Sequence, residues 1–214
     1  AKENIKYALK LKKKGIIKKV AITGCAVERL KEDLASEFKD ADLFFSISKQ
    51  DIIEKIINKK GFLFSPIQRE LFMPEYKLFL TAPHSAYLKI ADGCNNRCAY
   101  CAIPFIRGNY RSKTIEEIVK EARVLAKNGA KEISLIAQDT TSYGQDLYGK
   151  PELVKLLKKL IKLKDICRLR IMYAYPHRVT KELADLMAGE EKIFSYLDIP
   201  LQHGVYTAHS GPYY

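Results

Sequence analysis

Three of the chain's five cysteines, Cys94, Cys98 and Cys101, fall within eight residues at C-x3-C-x2-C spacing, inside Gly93-Cys94-Asn95-Asn96-Arg97-Cys98-Ala99-Tyr100-Cys101. A segment this short points three sulfurs at one centre only by looping around it, which suits a metal ion or an iron–sulfur cluster. A closed structural zinc site takes four protein ligands, usually from paired C-x2-C units. Three thiolates on a [4Fe–4S] cluster instead leave one iron for a ligand that is not protein, and an open iron implies chemistry. Two readings compete with a cluster: zinc completed by Cys25, Cys167 or His84, and cysteines that merely pack.

The rest of the composition bounds the setting. At 214 residues the chain has room for one large domain or two modest ones, and 47% hydrophobic content is ordinary for a globular protein. A net charge of +12 invites a nucleic-acid or ribosome partner, and a non-catalytic metal-binding module docking on ribosomal RNA is the alternative function. Much of that charge sits in lysine runs such as Lys12-Lys13-Lys14 and Lys158-Lys159, which solvated helix faces also explain. An odd number of cysteines, three of them clustered, is no disulfide framework, so a reducing cytoplasm is expected. No apolar run approaches the roughly 18 residues of a membrane span, and the N-terminus lacks the apolar core of a signal peptide. A soluble, cytoplasmic protein with no membrane partner follows.

The elements that must carry the cysteines read as α/β. Residues 1–14 form an amphipathic helix, Ile16 to Thr23 a buried strand, Val27 to Phe38 a helix, Leu43 to Phe45 a strand and Asp51 to Asn58 a helix. Residues 1–58 are thus a partial α/β domain. Residues 59–85, with Pro66, Pro74 and Pro83 among aromatics, lack a period and read as a linker. From Ala86 the pattern is regular. Tyr87 to Ile90 is a strand delivering the chain to the cysteine loop, and Thr114-Ile115-Glu116-Glu117 matches a capping box. Strands over 132–137, 168–174 and 194–199 then alternate with helices over 115–128, 152–163 and 181–187. This alternation implies right-handed βαβ units and a parallel sheet, part of a (β/α) barrel over 86–204. The residues just after each strand, Gln138-Asp139, Tyr175-Pro176-His177 and Gln202-His203-Gly204, would converge on the rim that holds the cysteines. Residues 205–214 are unassigned.

The motif resembles the defining one of the radical S-adenosylmethionine (SAM) enzymes, with Tyr100 where that superfamily carries an aromatic before its third cysteine. Beyond it, Tyr87-Leu88-Lys89-Ile90-Ala91-Asp92-Gly93-Cys94, Cys101-Ala102-Ile103-Pro104, Arg107-Gly108 and Arg111-Ser112 resemble the cluster loop of the radical-SAM methylthiotransferases, which replace C–H by C–SCH3. Gly24-Cys25-Ala26-Val27-Glu28-Arg29 is similar to the third-cysteine motif of that family's N-terminal domain. Gln138-Asp139-Thr140-Thr141-Ser142-Tyr143-Gly144 resembles the branch acting on an aspartate β-carbon of a small-subunit ribosomal protein. The branch acting on tRNA adenosine is the alternative.

The resemblance implies a partial methylthiotransferase N-terminal domain and a partial radical-SAM barrel, in a chain that is a fragment. It implies Cys94, Cys98 and Cys101 on a SAM-bound [4Fe–4S] cluster, and Cys25 on a second cluster whose other two cysteines lie upstream. Tyr100, Gln138, Asp139 and Gln202 become candidates for SAM or substrate contacts. An electron donor and a ribosomal protein or the ribosome become the expected partners. Hydrogen abstraction by a radical needs no paired carboxylates, and Asp139 as a general base is a minor reading.

Overall fold

The computed structural model describes residues 1–46, 58–63 and 83–200. Within them the chain divides into two compact units, one drawn from residues 1–70 together with Ala102–Gly108, the other from 71–101 and 109–214.

In the first unit, α1 (Lys2–Lys13), β1 (Ala21–Thr23), α2 (Cys25–Glu37), β2 (Leu43–Phe45) and β3 (Gly61–Leu63) follow in order, and α3 (Ile103–Arg107) joins them from later in the chain. The strands form a parallel sheet in the order β1-β2-β3. Ile5, Val20, Ile22, Val27, Leu34, Phe38 and Phe44 make its core. Asp42 ties α1 to the sheet by accepting from Lys12 Nζ at 2.7 Å and from the Val20 amide at 2.8 Å. The Lys12 hydrogen bond, followed by that amide, holds its carboxyl below the usual range.

Three expectations change here. The strand read over 16–23 is confined to Ala21–Thr23, because Ile16 is exposed and the turn after α1 extends through it. The stretch 59–85 supplies β3, whose three residues are too few to carry a visible alternation. Residues 102–108, read as part of the cysteine loop, include a short helix that packs in the first unit. Of the helix read over 51–58, residues 51–57 lie outside the described residues.

The second unit is built on β4 (Ser85–Lys89), β5 (Ala91–Asp92), β6 (Arg111–Ser112), α4 (Ile115–Lys127), β7 (Glu132–Ile136), α5 (Gln145–Tyr148), α6 (Leu153–Leu160), β8 (Arg168–Ile171), α7 (Lys181–Gly189) and β9 (Ile193–Leu197). Its main sheet is parallel throughout, in sequential order β4-β7-β8-β9, with helices between the strands as in a stretch of (β/α) barrel. The capping box is present: Thr114 accepts from the Glu117 amide, and Glu117 accepts from the Thr114 amide. One face of the sheet carries Leu88, Ile133, Leu135, Leu169 and Ile171, fully buried against Ile118, Leu125, Leu156 and Leu157 of α4 and α6. The other face alternates to Tyr87, Ser134 and Arg170, aligned across three strands.

Beneath the apolar layer lies an ion pair that water does not reach. Lys113 Nζ and Glu121 Oε2 are 2.5 Å apart, with side chains 3% and 5% exposed. The Lys113 carbonyl also accepts from the hydroxyl of Tyr143, itself fully buried. Removing one partner of such a pair leaves an uncompensated charge in the core. Glu121→Gln is therefore expected to destabilise the fold by about 3 kcal/mol, read as a lower urea midpoint with an unchanged denaturant slope.

Candidate metal centre

The cysteine loop leaves the sheet where β4 ends, and its base is closed by residues the apolar pattern does not mark. β5 and β6 pair antiparallel, Ala91 with Ser112 and Asp92 with Arg111, so the chain returns to within one ladder spacing of where it left. Asp146 of α5 fastens this base by accepting from the Ser112 amide at 2.8 Å and its hydroxyl at 2.6 Å. Ser112 Oγ in turn accepts from the Gly144 amide at 3.0 Å. Gly144 has φ +87°, and a Cβ there would lie 2.9 Å from Glu152 Cβ, so only glycine fits this crossing. Within the loop, Asn95 Oδ1 accepts from the Tyr110 amide at 2.9 Å, tying one flank of the loop to the other.

Cys94, Cys98 and Cys101 are free thiols on this loop, the first buried and the other two partly exposed. Cys98 and Cys101 both lie within electrostatic reach of Cys94, and the Cys101 amide donates to the Cys98 carbonyl at 2.9 Å. The Asn96 amide donates to Cys94 Sγ at 3.4 Å. Burial pushes the Cys94 thiol up, and that amide opposes the shift. Among the described residues, no three His, Cys, Asp or Glu side chains close on a point where one metal ion would sit. Zinc needs sulfurs at about 2.3 Å from a common centre. The three thiols share one short loop. This donor set, all thiol with an N–H aimed at one sulfur, fits an iron–sulfur cluster.

Two of the fourth ligands considered for zinc lie at the other end of the strands. His84 precedes β4 and Cys167 precedes β8, both at the amino ends of the parallel strands, whereas the cysteine loop leaves the carboxyl end. Cys25 opens α2 in the first unit, exposed, just after Gly24 at φ +116°. The sequence places it in the turn before that helix; the structure makes it the first helical residue.

The residues after β7 and β8 meet the loop. Asp139 is 2% exposed. Its Oδ1 accepts from Thr141 Oγ1 at 2.5 Å and the Ser142 amide at 3.2 Å. Its Oδ2 accepts from Asn96 Nδ2 at 2.9 Å, Ser142 Oγ at 2.7 Å and Arg178 at 2.8 Å. Two carboxylate oxygens offer about four lone-pair directions, so these five donors leave none for a substrate proton. In this arrangement the acceptor capacity of Asp139 is spent on protein donors. Its backbone carbonyl accepts from the Tyr110 hydroxyl at 2.8 Å, and burial pushes that phenol strongly up, keeping it a donor.

Arg178 stands over the Tyr175 ring, 5.0 Å from its centroid, and the loop after β8 reaches the site through Arg178, which donates to Asp139. Sequence reasoning missed Asn96, Tyr110, Asp146 and Arg178. Arg178 falls one residue beyond the segment singled out, and the others carry no spacing signal. Gln138 is half-buried, and its Oε1 takes no hydrogen bond among the described residues. Tyr100 is 65% exposed and sits beside Cys98. Gln202, His203 and Gly204 lie outside the described residues. A cavity of about 270 Å³ opens beside Cys94, between Asn95, Asn96, Tyr110, Gln145 and Arg178.

A model of the Radical SAM superfamily matches residues 88–207. Among individual proteins, the ribosomal protein uS12 methylthiotransferase RimO of Elusimicrobium minutum (strain Pei191) is 55% identical over 203 residues, which are 95% of this chain and 47% of that protein. The protein of the same name from Dictyoglomus thermophilum is 42% identical over 207 residues, covering 95% of this chain and 47% of its own length. The chain thus spans about half the length of the relatives it matches. Among solved structures, the radical S-adenosylmethionine methyltransferase TsrM from Kitasatospora setae, with tryptophan and a SAM analogue bound, superposes with a TM-score of 0.44 at 18% identity, over 55% of this chain and 22% of that one.

Because Asp146 holds both polar groups of Ser112, Asp146→Ala is expected to cost about 1–2 kcal/mol and to open the loop base. Limited proteolysis should then cut between residues 93 and 112 sooner than in the unaltered chain, with the cleavage pattern elsewhere unchanged.

Proposed function

This chain belongs to the Radical SAM superfamily, and from that premise we propose that it is the cluster-holding part of a methylthiotransferase that modifies an aspartate of a small-subunit ribosomal protein. The observation that carries the reading is the placement of three free thiols on one loop, pinned at its base, at the carboxyl end of a parallel sheet. That rim is where α/β sheets and barrels hold reacting groups. The substrate rests on relatives named for ribosomal protein uS12, together with the Gln138-Asp139-Thr140-Thr141 segment that resembles their branch.

In this reading Cys94, Cys98 and Cys101 hold a [4Fe–4S] cluster as thiolates, leaving one iron for SAM. The bound cluster and SAM supply the one-electron chemistry that opens an unactivated C–H bond. The chain's own contribution is placement. The β5–β6 ladder and Asp146 fix the ends of the loop, the Asn96 amide faces one ligand sulfur, and Tyr100 sits beside Cys98. Gln138 Oε1, a buried acceptor with no donor among the described residues, is suited to an N–H or O–H of SAM or substrate. Gln202 is assigned the same role from its sequence position. Cys25, with two further cysteines outside this chain, holds a second cluster. Electrons come from a separate donor, and the reaction takes place in the cytoplasm. Among the described residues no helix is long and apolar enough to cross a membrane.

Anaerobic reconstitution with iron and sulfide should give about four irons per chain at the three-cysteine loop, and a reduced EPR signal that changes when SAM is added. Cys94→Ala, Cys98→Ala and Cys101→Ala should each abolish that signal, whereas Cys167→Ala should leave it intact. One zinc per chain with no response to SAM would point instead to a metal-binding module docking on ribosomal RNA. For substrate, the complete enzyme incubated with uS12 and with tRNA should transfer the methylthio mass to the protein. Transfer to tRNA alone would overturn the assignment.

A further inference from the structure

Asp139 is the most heavily bonded side chain at the site, and the proposed reaction assigns it nothing. Its five donors come from three segments: Asn96 of the cysteine loop, Thr141 and Ser142 of its own loop, and Arg178 after β8. Asn96 is the telling partner. Its side chain is held by Asp139 Oδ2 while its amide points at Cys94 Sγ. One residue thus connects the buried carboxylate to a ligand sulfur.

We propose that Asp139 is a positioning residue that, through the side chain of Asn96, holds an N–H dipole against the sulfur of Cys94 and so raises the reduction potential of the cluster bound there. The inference rests on the reading of Cys94 as a cluster ligand. The physics is direct. Reduction adds negative charge that spreads onto the ligand sulfurs, and a fixed N–H aimed at sulfur stabilises that charge; hydrogen bonds to sulfur and net charge are two of the quantities that set such potentials. An amide on a loop turn keeps its aim only if the turn is anchored. Asp139 anchors it because its carboxylate, shut off from water, has no solvent to compete with the Asn96 amide group. Arg178 neutralises the carboxylate, so the anchor adds little net charge beside the cluster.

The test is a double-mutant cycle on the reconstituted chain, with midpoint potentials from EPR-monitored redox titration. Asn96→Ala keeps the backbone N–H but frees it from its anchor. It should make reduction about tenfold less favourable, a fall of about 59 mV for one electron. In the Asp139→Ala background the same Asn96→Ala change should have no effect, because the anchor is already gone. The cycle cancels the separate influence of removing the Asp139 charge. An equal fall in both backgrounds, or none in either, overturns the proposal. A second arm needs no cluster. In the metal-free chain, Asp139→Ala should speed amide hydrogen exchange at residues 94–98 at least tenfold, while β7 exchanges as before. Exchange that is unaltered, or raised equally in β7, overturns it. Failure of the unaltered chain to assemble a SAM-responsive cluster would count against the proposed function, and the exchange arm would still decide whether Asp139 anchors the loop.

Discussion

A carboxylate that is almost wholly out of water must find donors for both its oxygens, and Asp139 finds them in three separate stretches of chain. Each bond to a charged acceptor in that setting is worth more than a neutral one, and each donor left unmade would cost the desolvation of a charge. The loops after β7 and β8 and the cysteine loop therefore cannot move independently. The requirement to satisfy one buried charge is what turns three loops into one rim.

The cysteine loop also needs its ends fixed. A two-residue antiparallel ladder is weak on its own, since so few bonds must offset the closing of the loop between them. Here β5–β6 is reinforced from outside: Asp146 holds Ser112 twice, Gly144 approaches Ser112 where no side chain fits, and Tyr143 and Lys113 continue the same strap into the core. The segment from Tyr143 to Asp146 links the loop base to the start of α6, where the Glu152 amide donates to the Tyr143 carbonyl.

The first unit uses the same parallel logic on a smaller scale. Three strands of three residues each bury Leu43, Phe44 and Phe45 on both faces, and Asp42 fastens α1 at their edge. Gly24, with its positive φ, turns the chain from β1 into α2, and that turn leaves Cys25 exposed at the head of the helix.

Spacing alone singled out Cys94, Cys98 and Cys101 as a candidate cluster loop, because three thiols within eight residues have few other uses. Apolar periodicity likewise determined the parallel strand–helix alternation and the start of α4 at Thr114, since burial of one face leaves a repeating mark in the chain and a capping box is local. Other features left no such mark. The ladder of Ala91 with Ser112, the strand at Gly61–Leu63 and the assignment of residues 102–108 to the first unit depend on partners far away in sequence. Asp139 read as a candidate contact for SAM or substrate for the same reason. A carboxylate beside a site looks available until its donors, Asn96 at 43 residues' distance and Arg178 at 39, are brought to it. Type and spacing record what a residue is able to do. Only the folded chain decides which donors reach it and whether water does.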